Sequence, residues 1–346
     1  MRDILKDLER WTKAGQPVAI ATVIQTWGSA PRGVGSKMGV NAEGEICGSV
    51  SGGCVEGAVV ETSLEVLETG VPQLLHFGVA DETAWEVGLA CGGTIDVFVN
   101  PLDRAWFTPL SEALLNEKTV AAVTVIKGTT EQLGCTIVFS QDGKVQGTPG
   151  YGLDQTAILM AKEALEAGRP FRQTIPSPGS GEETDIFIDV VLPSPVLVIV
   201  GGTHISITLA DLARVMGYRT VIIDPRRSFG NRTRFPNVDE LIRSWPDQAL
   251  SEIGLNRSTA VATLTHDPKL DDPALLTALP SQAFYVGALG SKKTQARRRE
   301  RLLAAGLSAD QVDRLHGPVG LDIRASTPEE IALSIMAEIV AARRGI

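Results

Sequence analysis

Pro195-Val-Leu-Val-Ile-Val200-Gly-Gly-Thr-His-Ile-Ser206 decides the fold of the C-terminal part of the chain. A run of buried-type residues ends on two glycines and passes into an amphipathic stretch from Ile205 to Met216. That order is strand, tight turn, helix, the opening of a nucleotide-type α/β unit. Working outward, Thr220–Ile223, Ala260–Leu264 and Ala283–Leu289 read as further buried strands with helical stretches between them. A last helix starts at Thr327-Pro-Glu-Glu330, where Thr caps, Pro takes the first helical position and Glu follows three residues on, and it runs to about Arg343. Residues 194–346 are therefore expected to form a Rossmann-like, doubly wound parallel sheet domain.

Ligands of such sheets collect at the carboxyl ends of the strands, so the turn residues Gly201 and Gly202, with His204 at the helix start, are binding candidates. Thr203 and Ser206 stand where the dinucleotide fingerprint wants glycine, and Thr203 brings a Cβ to the point of closest approach. Asp224, ending the next strand, is placed to accept from a ribose hydroxyl, while Arg226 and Arg227 are placed to hold a phosphate; the sequence leaves both open. An NAD(P)-dependent oxidoreductase built on this domain is the alternative reading of the chain. Further along, His266-Asp267 follows a strand, and Gly290-Ser-Lys-Lys-Thr294 places Lys292 beside a basic run including Arg297, Arg298 and Arg299. Such a run reads either as a solvated helix face or as an anion site.

Upstream of residue 194 the chain repeats itself. Val18-Ala-Ile-Ala-Thr-Val-Ile24 returns as Val120-Ala-Ala-Val-Thr-Val-Ile126, and Gly35, Gly44 and Gly48 return as Gly134, Gly143 and Gly147. Each copy then offers an amphipathic helix, Val55 to Thr69 and Gln155 to Ala167, stopped by Gly and then Pro. Each closes on a strand, Ile95–Pro101 and Ile186–Pro193. The expected organisation is a duplicated α+β region, residues 1–105 and 106–193, ahead of the Rossmann-like domain.

The first copy alone carries three glycine-rich insertions: Trp27-Gly-Ser-Ala-Pro-Arg-Gly-Val-Gly35, Ser51-Gly-Gly-Cys-Val-Glu56 and Ala90-Cys-Gly-Gly93. The second copy shows that the unit folds without them, so they are candidates for chemistry. Arg32 is an anion-binding candidate. Cys54 follows the exposed backbone of Gly52 and Gly53 just before a predicted helix, and thiols at helix N-termini are favoured as thiolates, which ligate soft metals and attack sulfur. Cys91 is a second, similar case, whereas Cys47 and Cys135 lie in strands and read as packing residues.

Composition narrows the field. The 346 residues are too many for one ordinary core. A net charge of −9 opposes nucleic-acid binding, and no apolar run approaches the roughly 20 residues of a membrane helix. The N-terminus lacks a signal-peptide pattern, and four cysteines without a C-x-x-C pair suit a reducing cytoplasm. No side chains stand out as catalytic.

Together these residues resemble the xanthine dehydrogenase accessory factor family, XdhC/CoxI. The matching segments are Gly28-Ser-Ala-Pro-Arg32 with Gly35 and Met38, Gly48-x-x-x-Gly52-Gly-Cys-Val-Glu56, Cys91-Gly-Gly93, and the turn at 201–204. Tyr285-x-Gly-x-Leu-Gly-Ser-Lys-Lys-Thr294 and His316-Gly-Pro-x-Gly-Leu-Asp322 complete the set. The resemblance implies a molybdenum cofactor insertion chaperone that binds the cofactor, assists its sulfuration and delivers it to a xanthine-dehydrogenase-type molybdenum hydroxylase. It makes that hydroxylase and a cofactor-sulfurating enzyme the expected partners, with a homo-oligomer as the expected state. Cofactor contacts then fall to Arg32, Gly52, Gly53, Cys54, Glu56, Cys91, Gly201, Gly202, His204, Asp224, Arg226 and Lys292, with Cys54 nearest the metal.

Overall fold

The computed structural model describes residues 1–78, 92–147, 153–177 and 183–345. These fall into two compact units, Met1–Pro193 and Ser194–Ile346.

The first unit opens with helix α1 (Leu5–Lys13) and continues through β1 (Val18–Trp27), β2 (Lys37–Asn41) and β3 (Ile46–Gly48) to α2 (Glu56–Thr69), β4 (Gln73–Phe77) and β5 (Thr94–Pro101). Helix α3 (Arg104–Leu115) leads into the second copy: β6 (Val120–Lys127), β7 (Thr136–Ser140), β8 (Val145–Gly147), α4 (Asp154–Ala167), β9 (Phe171–Pro176) and β10 (Glu183–Val191). The two copies form separate five-stranded sheets of matching order, β3-β2-β1-β5-β4 and β8-β7-β6-β10-β9. The pairings are antiparallel.

Side chains alternate across each strand, and that alternation assigns the two faces of each sheet. Ala19, Ala21 and Val23 with Val97 and Val99 pack under α2, through Val59 and Val66. The same residues of the second copy, Ala121, Val123 and Val125, pack under α4. The opposite faces supply Ile24 and Phe98 to a small core shared with Ile126 and Phe187. Both helices end as their sequences predict, with Gly70 and Gly168 in the left-handed conformation that a side chain would resist.

Polar ties cross the seam between the copies. Lys37 Nζ lies 2.9 Å from Asp189 Oδ2, both side chains largely buried, and also donates to Thr22 Oγ1 at 3.0 Å. Arg172 on β9 reaches Asp96 on β5.

The second unit runs β11 (Val196–Val200), α5 (His204–Val215), β12 (Arg219–Ile223), β13 (Glu240–Ile242), α6 (Pro246–Ile253), β14 (Thr259–Thr263), α7 (Pro268–Ala278), β15 (Tyr285–Ala288), α8 (Lys292–Ala304), α9 (Ala309–Asp313), β16 (Leu315–His316) and α10 (Pro328–Arg344). Its parallel sheet has the order β13-β12-β11-β14-β15-β16. Numbered within the unit this is 3-2-1-4-5-6, the doubly wound arrangement with its switch point between β11 and β14. One face packs on α5 and α10 through Leu209, Ala213, Ile335 and Ile339, the other on α6 and α7 through Leu250 and Leu275. No helix among the described residues is long and apolar enough to cross a membrane.

Candidate functional site

The glycine-rich insertions of the first copy are far apart in sequence, and the fold brings them together. A Cβ on Gly93 would lie 2.6 Å from the Ser29 carbonyl oxygen and 2.8 Å from that of Trp27, so the two backbones touch only because residue 93 has no side chain. A Cβ on Gly52 would stand 3.7 Å from Pro31 Cβ, which puts the second loop against the first. The cluster sits beyond the end of β1, and Trp27 and Arg32 are exposed on it. Arg32 makes no hydrogen bond or ion pair with the described residues, although its charge reaches Asp3. Cys91 lies outside the described residues, and its neighbours Gly92 and Gly93 lie within them.

The loop before α2 is organised by one carboxylate. Glu56 Oε1 accepts from Ser49 Oγ (2.6 Å) and from the N–H groups of Val50 (3.3 Å), Ser51 (2.9 Å) and Gly52 (2.9 Å). Its Oε2 accepts from Ser51 Oγ and from Gly53 N–H at 2.8 Å. Burial pushes this carboxyl up, but the Ser49 and Ser51 hydroxyls and the loop N–H groups outweigh it and hold Glu56 far below the usual carboxylate range. Ser51 Oγ in turn accepts from the N–H groups of Cys54 (3.0 Å) and Val55 (3.1 Å). The backbone donors of Gly52 and Gly53 thus point inward onto the protein's own anion. Cys54 is left as an exposed thiol on a rigid turn, two residues before α2.

The other described cysteines differ. Cys47 is buried in β3 and its thiol is pushed up to about 11 by that burial. Burial and the nearby Asp103 charge also raise Cys135. Among the described residues no three His, Cys, Asp or Glu side chains group closely enough to hold a metal ion. Cys54 is therefore an exposed thiol that belongs to no cluster of metal-ligating side chains among the described residues.

In the second unit the turn after β11 is satisfied from within. Thr203 caps α5; its N–H donates to Ser206 Oγ at 3.2 Å, the two hydroxyls lie 2.9 Å apart, and Ser206 Oγ donates to the Gly201 carbonyl. The two departures from the glycine fingerprint are thus a polar clasp that closes the turn. Asp224 is fully buried, accepting from Gly202 N–H (2.8 Å), Arg226 N–H (2.9 Å) and the Arg226 guanidinium at Nε (2.9 Å) and Nη2 (2.8 Å). Burial opposes its ionisation, and the Arg226 and Gly202 donors overcome it and lower its pKa. The Arg226 guanidinium also stacks 4.0 Å from the Phe229 ring, and a Cβ on Gly202 would meet the Phe229 carbonyl oxygen at 2.5 Å. The loop after β12 thus folds back onto the turn: Asp224 spends its oxygens on Gly202 and Arg226, while Arg226 keeps Nη1 free of any described partner.

His204, Arg227 and Lys292 remain exposed. Asp267 caps α7, accepting from Lys269 N–H, and so is no partner of the adjacent His266, whose φ of 62° is uncommon for a residue with a side chain. The basic run on α8 does not present one face. Arg298 is buried against Asp271 (3.1 Å), Arg299 pairs with Asp313, and Arg301 pairs with Asp272.

Two constellations escape a local reading of the sequence. Glu338 Oε2 accepts from Tyr285 Oη (2.6 Å) and Gly320 N–H (2.7 Å), while its Oε1 lies 3.3 Å from His316 Nδ1. Tyr285, His316 and Gly320 carry recognisable motifs, but their meeting point on α10 does not. In the first unit Arg172 spans the seam between the copies to contact Gln25, Asp96 and Asp185. No signal beyond the charge itself singles out Arg172.

Comparison with known proteins matches residues 11–78 to a model described as the XdhC and CoxI family and residues 197–339 to one described as the XdhC Rossmann domain. A Bacillus subtilis (strain 168) protein described as a probable component of xanthine dehydrogenase is 27% identical over 336 residues, covering 96% of this chain and 94% of that protein. The molybdenum cofactor insertion chaperone PaoD of Escherichia coli (strain K12) is also 27% identical, over 345 residues, covering 99% and 88%. A crystal structure from Bacillus halodurans, described as a xanthine dehydrogenase, superposes with a TM-score of 0.74 at 26% identity, covering 99% of this chain and 96% of that one.

Proposed function

This chain belongs to the XdhC and CoxI family, and from that premise we propose that it binds molybdenum cofactor at the loop cluster of its first copy. It protects the cofactor, assists its sulfuration and hands it to a xanthine-dehydrogenase-type molybdenum hydroxylase. The observation that carries this reading is the meeting of three insertions, absent from the second copy, one of which carries an exposed thiol on a turn fixed by Glu56.

The residues fit the group. When bound, the cofactor supplies a soft, dithiolene-held metal with exchangeable ligand positions, and Cys54 supplies a sulfur donor of matching softness. Glu56 holds that sulfur at a fixed point by tying down the backbone on both sides of Ser51, so its part is positioning rather than contact. Arg32, exposed on the neighbouring loop, offers a guanidinium to a phosphate. A cofactor-sulfurating enzyme and the hydroxylase are the partners that such a carrier meets.

The second unit serves this role without a dinucleotide, because the turn is closed by its own hydroxyls and the buried Asp224 is already committed to Gly202 and Arg226. The test is activation of a cofactor-free client hydroxylase by cofactor-loaded protein. Cys54→Ala is expected to lower activation at least tenfold while leaving the fold intact. Full activation by Cys54→Ala would remove the thiol from the account.

A further inference from the structure

Where β1 ends against β9, at the seam between the two copies, lies an open groove of about 500 Å³. That size is within the range of sites for cofactor-sized molecules, roughly 300–1,000 Å³. Its walls include Val34 and Phe171, and its rim carries Gln25, Thr26, Arg172 and Thr174. Thr26 immediately precedes the first insertion and Val34 lies within it, so the groove is lined in part by the loop that carries Arg32.

The charges on the rim decide what it suits. Arg172 donates through Nη1 to Gln25 Oε1 (2.9 Å) and Asp96 Oδ2 (3.1 Å), and through Nη2 to Asp185 Oδ2 (2.6 Å). One cation thus faces two carboxylates. Burial works against the ionisation of Asp185, but hydrogen bonds from Arg172 and Thr174 override it and keep the group charged. The second oxygen of Asp96 meets His76 Nδ1 at 2.5 Å. With its cation already balanced, the rim has no surplus positive charge to attract a phosphate.

What remains is a set of oriented neutral groups. Because Gln25 Oε1 accepts from Arg172, its amide is fixed with Nε2 left as a donor. Thr174 Oγ1 gives its proton to Asp185 Oδ1 at 2.7 Å, which leaves its lone pairs as acceptors. The Thr26 hydroxyl, half-buried, is engaged by none of the described residues and serves as either. Free donors and acceptors therefore line one groove together with the apolar Val34 and Phe171, a set that can pair with a flat heterocycle carrying an amide and an amine on one edge.

We propose that this groove seats the pterin ring of the cofactor, as a neutral fused heterocycle read along its amide and amine edge. The inference rests on the cofactor-carrier reading and adds to it the place of the ring. Arg172 and Thr174 come from the second copy, and Gln25, Thr26 and Asp96 from the first, so neither copy builds the site alone. The motif-poor copy is then half of a ligand site as well as a packing partner.

The experiment loads full-length protein with molybdenum cofactor, removes unbound material, and measures retained pterin by fluorescence. Thr26→Trp fills the groove from a residue with no described partner to lose, and Thr174→Trp fills it from the other copy; unchanged melting temperatures confirm the fold. Retention is expected to fall at least tenfold in each, and millimolar free pterin is expected to displace the cofactor from wild type where equal inorganic phosphate does not. Wild-type retention with undiminished retention by both filled variants overturns the groove and leaves the carrier reading standing. Displacement by phosphate and not by pterin overturns it as well, by making the site an anion site. No retention by wild type overturns the carrier reading and the groove together.

Discussion

Replacing Glu56 tests whether the loop that presents Cys54 is built around a charge. The carboxylate accepts four backbone N–H groups and two hydroxyls. Gly52 and Gly53 are exposed and recover water when the carboxylate is removed, so their share is small. Val50 and Ser51 are buried and cannot. Hydrogen bonds to a charged group contribute about 1.5–3 kcal/mol each, so Glu56→Ala is expected to destabilise the Met1–Pro193 unit by about 3–5 kcal/mol. Glu56→Gln keeps one acceptor but turns an amide nitrogen toward donors, and should cost about 1–2 kcal/mol.

Acid gives the sign. The folded carboxyl lies below its unfolded value of about 4.5, so its contribution is complete above that pH and is lost as pH falls toward the folded value. Denaturant unfolding at pH 7 and at steps down to pH 3 should show the gap between wild type and Glu56→Gln narrowing steadily below about pH 4.5. A gap under about 0.5 kcal/mol at pH 7, or one that widens with acid, would refute the reasoning.

Other consequences are as direct. Lys37→Met strands the buried Asp189 carboxylate at the seam, and denaturant unfolding should show a loss of about 3–5 kcal/mol, partly restored by adding Asp189→Leu. Calorimetric titration with NAD(H) or NADP(H) should show no saturable binding, since Asp224 and Arg226 are committed to each other and to the turn; micromolar binding would mean that the loop after β12 opens. Among the described cysteines Cys54 should react first under native alkylation and Cys47 last, because Cys54 is exposed whereas Cys47 is buried and its thiol is pushed up to about 11; peptide mapping of labelled protein gives the order.

Much of the architecture was legible because it is written in local periodicity. The helix stops at Gly70 and Gly168 and the strand starts at Val18 and Val120 fall where the repeat places them. In the second unit the predicted Ile205–Met216 helix is observed as His204–Val215, one residue displaced. Elements with weak local signals were not visible. Edge strands β4 and β9 are short and alternate only partly, and α3 contains Pro109, which argues against a helix when read locally.

The site was legible as a set of loops but not as a place. Gly93 meets Ser29 across more than sixty positions of chain, and only the missing Cβ hints at it. Glu56 is read from its motif as a cofactor contact, whereas its oxygens close on its own loop. Arg172 lies 147 residues from Gln25 and 76 from Asp96, so no window on the sequence could join them.

The central claim is that this chain holds molybdenum cofactor. It is tested most directly by incubating purified cofactor-free protein with the cofactor, desalting, and quantifying bound pterin and molybdenum together, with NAD(P) as competitor. The account predicts pterin and metal retained in equal amounts, near one per chain, and undisturbed by NAD(P). Protein that emerges with neither, or that loses both to NAD(P), would contradict it.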